Sequence, residues 1–167
     1  MKVREIDATL GAIVEEVDLR QISADDFARI YALWLERAVL VFPGQHLDDQ
    51  QQIHFSKRLG RLERSISQRA RQAEISALSN QDRVTGEAVA ADSSLALFLK
   101  GNTYWHTDSS FKVVGAKASL LGARQLPGQG GETEFADMRA AWEALDQATQ
   151  QMIESMYAVH SYRYSRS

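Results

Sequence analysis

The order of the predicted elements indicates an α+β fold rather than a series of alternating βαβ units. Helical patterns cover residues 23–38 and 48–59, strand-like alternation covers residues 117–124, and helical periodicity returns after Asp137. Helices, then short strands, then further helices are typical of a fold that segregates its sheet from its helices. Residues 61–102 show poor periodicity, apart from a strand-like stretch at 75–80, and long loops in a compact domain often carry function.

The composition is that of an ordinary soluble globular protein, and it excludes several kinds of site. The 167 residues are 44% apolar and 25% charged and include no cysteine, which excludes a disulfide scaffold, an iron–sulfur cluster and a thiol nucleophile. A net charge of −3 gives no basic footprint for nucleic acid or an anionic membrane. Because no stretch resembles a signal peptide or a membrane span, we expect a cytoplasmic protein with neither nucleic-acid nor membrane partners.

The first helix is predicted by a cap followed by an apolar stripe. Ser23 can accept hydrogen bonds from free amide groups, and Asp26 places an acid in the first turn. Apolar side chains then recur at helical spacing, at Phe27, Ile30, Tyr31, Trp34 and Ala38. The apolar run at 38–42 predicts a buried strand that ends at Pro43 and Gly44.

Three further helices are predicted in the same way. One runs from Asp48 or Asp49 to Leu59 and ends at Gly60, where glycine suits a left-handed cap. The second begins after Asp137 and contains Met138, Ala141, Trp142 and Leu145. The third places four side chains on one face, those of Met152, Ile153, Met156 and Tyr157.

Two of the four histidines stand in a His-x-Asp pattern. His46-Leu47-Asp48 falls where a turn passes into a helix, so we expect a structural role in capping. His106-Thr107-Asp108 lies within GNTYWHTDSSF; if this piece is extended, the imidazole and the carboxylate point to one face. That geometry suits two ligands of a facial-triad non-haem Fe(II) site. On spacing alone, a histidine hydrogen-bonded to a neighbouring carboxylate within a strand is the favoured interpretation.

Longer stretches around the second motif resemble the TauD/TfdA family of Fe(II)- and 2-oxoglutarate-dependent dioxygenases. The matching pieces are YWHTDSSF, KASLLGARQLPGQGGETEFADMRAAWEAL and, nearer the start, VFPGQHLDDQQQIHFSKRLGRLE. HTDSSF followed by GGETEFADMRAAWEAL is most similar to the aryloxyalkanoate branch, the 2,4-dichlorophenoxyacetate type, and less similar to the taurine branch. The resemblance covers nearly the whole chain and implies one domain over residues 1–167, the N-terminal portion of such an enzyme.

This resemblance implies a fold, a set of cofactors and a set of site residues. The fold is a double-stranded β-helix, a cupin-like jelly roll with flanking helices, whose C-terminal strands are expected to be missing here. The cofactors are Fe(II), the co-substrate 2-oxoglutarate and O2. His106 and Asp108 are implied as two of three iron ligands, with no catalytic residue beyond the ligands. Thr133 is implied to help hold 2-oxoglutarate; its alternative role is a turn threonine that bonds nearby backbone.

Three residues are candidates for binding a small anionic substrate. Asn102 stands four residues before His106, where taurine-type members use an asparagine, although local turn chemistry is its commoner role. Arg69 and Arg71 belong to a basic stretch that is interpreted either as a solvated loop or as an anion anchor. The aryloxyalkanoate branch has a lysine where this sequence has Gln68, which leaves a sulfonate or sulfate ester as the alternative substrate.

The family pattern also needs a distal histidine as the third iron ligand and an arginine that pairs with 2-oxoglutarate. Neither has a counterpart here, since the ending HSYRYSRS resembles the segment just after the family's helices, and His160 is not at a ligand position. A catalytically incomplete fragment that acts only as a binding module is therefore an open alternative. The open strand edges of an incomplete barrel also predict self-association into a homo-oligomer.

Overall fold

The computed structural model of the chain describes residues 1–64, 74–81 and 85–161. Within these ranges the structure has three strands and five helices. This is the α+β fold class that the sequence predicts. They are β1 Lys2–Glu5, β2 Ala12–Glu15, α1 Ala24–Arg37, β3 Leu40–Val41, α2 Asp49–Lys57, α3 Ser94–Gly101, α4 Met138–Glu143 and α5 Gln147–Ile153.

The described residues fall into two compact units. The first unit comprises Met1–Phe55 and Leu121–Ala158, and the second comprises those within Ser56–Leu120 and Val159–Ser167. All three strands belong to the first unit, and α3 belongs to the second. The single domain expected over residues 1–167 stays a prediction.

The strands form one sheet in the order β1-β2-β3. β1 pairs antiparallel with β2, from Lys2 opposite Glu15 to Glu5 opposite Ala12, and β2 pairs parallel with β3. Ala12 and Val14 are fully buried, whereas their neighbours in β2 are half-buried, as the alternation of side chains in a strand requires. The β1–β2 pair is not anticipated by the sequence analysis, although this alternation in AIVE is its signal.

Helix α1 confirms its prediction almost to the residue. The Ser23 side chain accepts a hydrogen bond from the amide of Asp26, and Ile30 is buried on the inner face. The helix ends at Arg37, and Ala38 takes a positive φ of 60°. The N-cap residue and the apolar stripe are both local features of the sequence. The position of this helix could therefore be predicted without knowledge of its tertiary contacts.

The core of the first unit is centred on Phe55. Its side chain is 4% exposed and meets two rings edge-on, Phe27 at 6.1 Å and Phe42 at 6.4 Å between ring centres. Phe27 comes from α1 and Phe55 from α2, so this aromatic contact fastens the two helices together.

Arg37 joins the end of α1 to the loop between β1 and β2. Its guanidinium donates hydrogen bonds to the carbonyl oxygens of Gly11 and Ile6, each at 3.1 Å, and of Ala8 at 3.2 Å. The fork of N–H donors on arginine suits several acceptors at once. One side chain thereby fixes a turn more than 25 residues away in sequence.

Other predicted elements differ from the structure. The stretches 117–124 and 75–80 are not strands, because no neighbouring strand among the described residues completes a hydrogen-bonded ladder with either. Helix α3 instead occupies part of the region interpreted as loops; its Ser93 cap was the overlooked signal. The buried strand predicted at 38–42 shortens to two residues in β3, of which Leu40 is half-buried and Val41 is exposed, so the predicted burial is wrong.

The predicted helix ends also shift. Helix α2 stops at Lys57, two residues before the predicted end, while Gly60 has the expected positive φ. Helix α4 begins after its Asp137 cap, as predicted. Helix α5 ends at Ile153, and Met156 and Tyr157 beyond it are exposed rather than part of a buried face.

Candidate metal-binding site

The segment that carries the second His-x-Asp motif begins where α3 ends. The Ser93 side chain caps the start of α3 by accepting from the amide of Ala96. At the other end Asn102 is the C-cap, and its amide bonds the carbonyl oxygens of the last turn. Thr103 then donates its hydroxyl to the carbonyl of Lys100 at 2.8 Å. These contacts end helix α3 immediately before the motif.

The imidazole of His106 is oriented by the backbone. Its Nδ1 lies 2.7 Å from the carbonyl oxygen of Tyr104. A carbonyl oxygen can only accept, so in the neutral ring Nδ1 carries the hydrogen and Nε2 keeps its lone pair. Metal-binding histidines are commonly held in this way through their second nitrogen. The ring is therefore in the tautomer that a metal ligand needs at Nε2.

The free nitrogen of His106 faces the carboxylate of Asp108. Nε2 and Oδ1 are 3.6 Å apart, and the two side chains are 50% and 60% exposed. This separation is too long for a hydrogen bond. Two adjacent ligands of an octahedral ion, each about 2.1 Å from the metal, would be about 3 Å apart. The observed 3.6 Å is longer than both a hydrogen bond and this ligand spacing, so the two donor atoms face each other without a hydrogen bond between them.

The other carboxylate oxygen of Asp108 is held by a serine. Oδ2 accepts a hydrogen bond from the hydroxyl of Ser119 at 2.7 Å. Ser119 lies eleven residues further along the chain, in a segment without regular structure. The sequence analysis does not identify Ser119, because no spacing rule links two residues in irregular segments.

The residue after Asp108 is held by a distant acid. Ser109 has a positive φ of 57°, which is uncommon for a side chain other than glycine. Its hydroxyl donates to Glu63 Oε2 at 2.7 Å, and Lys112 forms an ion pair with the other oxygen of Glu63. The Lys112 ammonium first, and then the Ser109 hydroxyl, hold the pKa of Glu63 below its usual value. Sequence analysis also misses Glu63, which lies 46 residues before Ser109.

The remaining candidates are described by their local surroundings. Asn102 is the exposed C-cap of α3, and Thr133 is an exposed residue in an irregular part of the first unit. Arg69 and Arg71 lie outside the described residues. Within the described ranges, no cluster of three or more histidine, aspartate or glutamate side chains could hold a metal ion. The role of His106 and Asp108 as metal ligands stays a prediction.

The first His-x-Asp motif has the structural role predicted for it. The Asp48 carboxylate accepts from the amide of Gln51 at 2.8 Å, and the Gln51 side chain accepts from the amide of Asp48 at 2.9 Å. These reciprocal bonds form a capping box at the start of α2. The two motifs have the same His-x-Asp spacing, but their aspartates accept from different residues: Asp48 from Gln51 and Asp108 from Ser119.

Comparison with known proteins decides the family. The model of the family described as "Taurine catabolism dioxygenase TauD, TfdA family" matches residues 2–167. The chain belongs to this family. The resemblance noted in the sequence is therefore confirmed, and no helix in the described part of the TauD/TfdA chain is long and apolar enough to cross a membrane.

Two similar TauD/TfdA relatives carry aryloxyalkanoate names. A protein of Sphingobium herbicidovorans named "(S)-phenoxypropionate/alpha-ketoglutarate-dioxygenase" is 40% identical over 99% of this chain and 55% of its own length. The "Alpha-ketoglutarate-dependent 2,4-dichlorophenoxyacetate dioxygenase" of Cupriavidus pinatubonensis is 38% identical over 90% of this chain and 54% of its own. More distant is the "Alpha-ketoglutarate-dependent sulfate ester dioxygenase" of Pseudomonas putida, 30% identical over 98% of this chain and 50% of its own.

A solved structure has the same fold over the length of this chain. It is described as AAD-2 in complex with Mn(II) and N-oxalylglycine, and it superposes with a TM-score of 0.89 at 38% identity. The match covers 99% of this chain and 58% of that chain. The chain thus spans a little over half the length of the relatives it matches.

Proposed function

We propose that the protein carrying this chain is an Fe(II)- and 2-oxoglutarate-dependent dioxygenase that hydroxylates a small anionic organic substrate, with an aryloxyalkanoate as the first candidate. The observation that carries the proposal is the pairing of His106 Nε2 with Asp108 Oδ1 at 3.6 Å. The names of the similar proteins support the same chemistry. Succinate and CO2 are the expected products from 2-oxoglutarate.

The donor atoms suit the proposed metal. A neutral imidazole nitrogen and a carboxylate oxygen are two donors of the 2-His-1-carboxylate site that binds non-haem Fe(II). When bound, Fe(II) together with 2-oxoglutarate and O2 supplies the oxidising chemistry. The chain's own residues act by position: the carbonyl oxygen of Tyr104 orients the imidazole of His106, and His106 and Asp108 would each offer one donor atom to the ion.

Further parts of the proposal come from the family pattern. Thr133 would help to hold 2-oxoglutarate, and Asn102, Arg69 and Arg71 would contact the anionic substrate. The complete fold would be the double-stranded β-helix, with residues 1–167 as part of one domain, in a cytoplasmic protein that self-associates. The third ligand and the 2-oxoglutarate arginine have no counterpart in these 167 residues, so the activity is proposed for the intact gene product.

The test is the release of succinate from 2-oxoglutarate by the intact gene product. We expect release only with Fe(II), and stimulation by aryloxyalkanoates. His106→Ala removes a ligand and should lower turnover at least about 100-fold, since loss of even an outer-shell partner costs 10–100-fold. The matched control is His46→Asn, in the other motif, where asparagine tolerates the positive φ of 45°. Undiminished turnover in His106→Ala would sink the role of His106.

A sulfonate or sulfate ester is the second candidate substrate class. It is favoured by Asn102, by Gln68 in place of the lysine of the aryloxyalkanoate branch, and by the similarity to the Pseudomonas putida protein. Substrate-stimulated succinate release should be measured with both compound classes at equal concentration. Stimulation by sulfate esters alone would move the assignment to this class.

A binding module without redox chemistry is the third candidate. It is favoured by the absence of a third ligand beside His106 and Asp108 in the described part of the chain. Its signature would be weak Fe(II) binding and no oxygen consumption by the intact gene product, whatever substrate is added.

A further inference from the structure

The two oxygens of the Asp108 carboxylate have different surroundings. Oδ1 faces His106 Nε2 at 3.6 Å, and Oδ2 accepts the Ser119 hydroxyl at 2.7 Å. An ionised carboxylate only accepts, so the serine is the donor. A hydrogen bond from a hydroxyl to a charged oxygen at this distance belongs to the stronger class. Ser119 therefore holds Oδ2 of Asp108 with a hydrogen bond, whereas Oδ1 stays directed toward His106.

Without such a bond, Asp108 would be a poorly defined ligand. Its side chain is 60% exposed, and an exposed aspartate side chain otherwise populates several rotamers. A carboxylate can also bind a metal through one oxygen or through both. A donor fixed on Oδ2 selects one rotamer and favours binding through Oδ1 alone.

The chain around Ser119 is suited to this task. Asp108 and Ser119 both belong to the second unit. Ala118 and Leu120 are half-buried, whereas Ser119 between them is exposed. This alternation turns the serine away from its two neighbours, in the direction of the Asp108 carboxylate that its hydroxyl reaches.

We propose that Ser119 is a positioning residue of the metal site, one that orders Asp108 as a one-oxygen ligand before the metal binds. The inference rests on the proposed function, because it takes His106 and Asp108 as metal ligands. It adds a residue that touches neither metal nor substrate and acts only through the ligand. Partners of this kind are typically worth a 10–100-fold change in metal affinity.

The experiment measures binding of Mn(II) to the intact gene product, by titration and by the electron paramagnetic resonance spectrum of the bound ion. We expect Ser119→Ala to raise the dissociation constant of Mn(II) about 10-fold or more, and to change the spectrum as the carboxylate geometry relaxes. Ser119→Thr keeps the hydroxyl and should restore both affinity and spectrum. The thermal midpoint of the metal-free protein should be the same for all three.

Ser110→Ala is the matched control. The Ser110 hydroxyl is nearer to the motif in sequence than that of Ser119, but it donates to the carbonyl of Thr107 at 3.4 Å, not to Asp108. Its removal should leave Mn(II) affinity unchanged. Equal losses in Ser119→Ala and Ser110→Ala would overturn the proposal, because they would indicate a general disturbance of the segment.

Two other results would also overturn it. One is an unchanged Mn(II) affinity in Ser119→Ala. The other is a lower metal-free midpoint in Ser119→Ala with no spectral change, which would show a purely structural role. In either case the wild type still binds Mn(II), so the proposed function stands. A wild type that binds no Mn(II) would instead remove the metal site itself, and the role of Ser119 with it.

Discussion

The core of the first unit and the segment around His106 and Asp108 are stabilised by different kinds of contact. Among the described residues, the six buried apolar side chains all lie in the first 55 positions, at Ala12, Val14, Leu19, Ile30, Ile53 and Phe55. Residues 102–137 contain no helix or strand, and the side chains of His106 and Asp108 are half exposed or more. Apolar contacts define the first region, whereas single polar contacts from distant residues define the second. The stability of the protein and the geometry of its site should therefore respond to different substitutions.

The largest effect on stability is expected at Phe55. Phe55→Ala removes the ring that packs against Phe27 and Phe42 and should lower the free energy of unfolding by about 3–5 kcal/mol. Urea denaturation of the intact gene product measures this change. Phe55→Leu is the control, since it keeps an apolar side chain and should cost less than about 1.5 kcal/mol. A small loss for Phe55→Ala would show that the aromatic cluster is not the centre of the core.

The same contrast explains what the sequence could predict. Helix α1 and the Asp137 cap of α4 follow from residues within one or two turns, and both stand where they were predicted. The strand expected at 117–124 fails because alternation alone supplies no partner strand. His106 and Asp108 were predicted as site residues from the His-x-Asp pattern together with the family resemblance, and this role stays a prediction. Ser119 and Glu63 were not predicted, because their contacts join irregular segments across 11 and 46 residues.

Arg37 shows that the core region also depends on polar contacts. Arg37→Lys replaces a planar fork by a point charge and cannot donate to Ile6, Ala8 and Gly11 together. The free energy of unfolding should fall by about 1–2 kcal/mol. Arg29→Lys is the control, because its pair with Asp26 is on the surface, with the arginine side chain 60% exposed, and should cost less than about 0.5 kcal/mol. Equal losses in the two variants would show that the three bonds of Arg37 stabilise the protein no more than the surface pair of Arg29 does.

The smallest effect on stability is expected at Glu63, whose substitution removes a charge that contacts the segment around His106 and Asp108. The pKa of Glu63 lies below its usual value because Lys112 and then Ser109 hydrogen-bond its charged form. A group with a depressed pKa in the folded protein contributes stability above its ordinary pKa, and this contribution is lost as the pH falls through the folded pKa. Since the Glu63 and Lys112 side chains are 38% and 29% exposed, screening limits the contribution to about 1 kcal/mol or less.

Glu63→Gln should therefore lower the free energy of unfolding slightly at about pH 7, and the difference from wild type should shrink toward zero as the pH falls through the lowered pKa of Glu63. Added salt should shrink it as well. Glu74→Gln, at an exposed acid outside the motif, is the control and should change the free energy of unfolding less than Glu63→Gln does. Mn(II) affinity should change less in Glu63→Gln than in Ser119→Ala, because Glu63 contacts Ser109 whereas Ser119 contacts Asp108, the proposed ligand. A larger loss of affinity in Glu63→Gln would mean that the backbone turn at Ser109, rather than the bond to Oδ2, sets the position of Asp108.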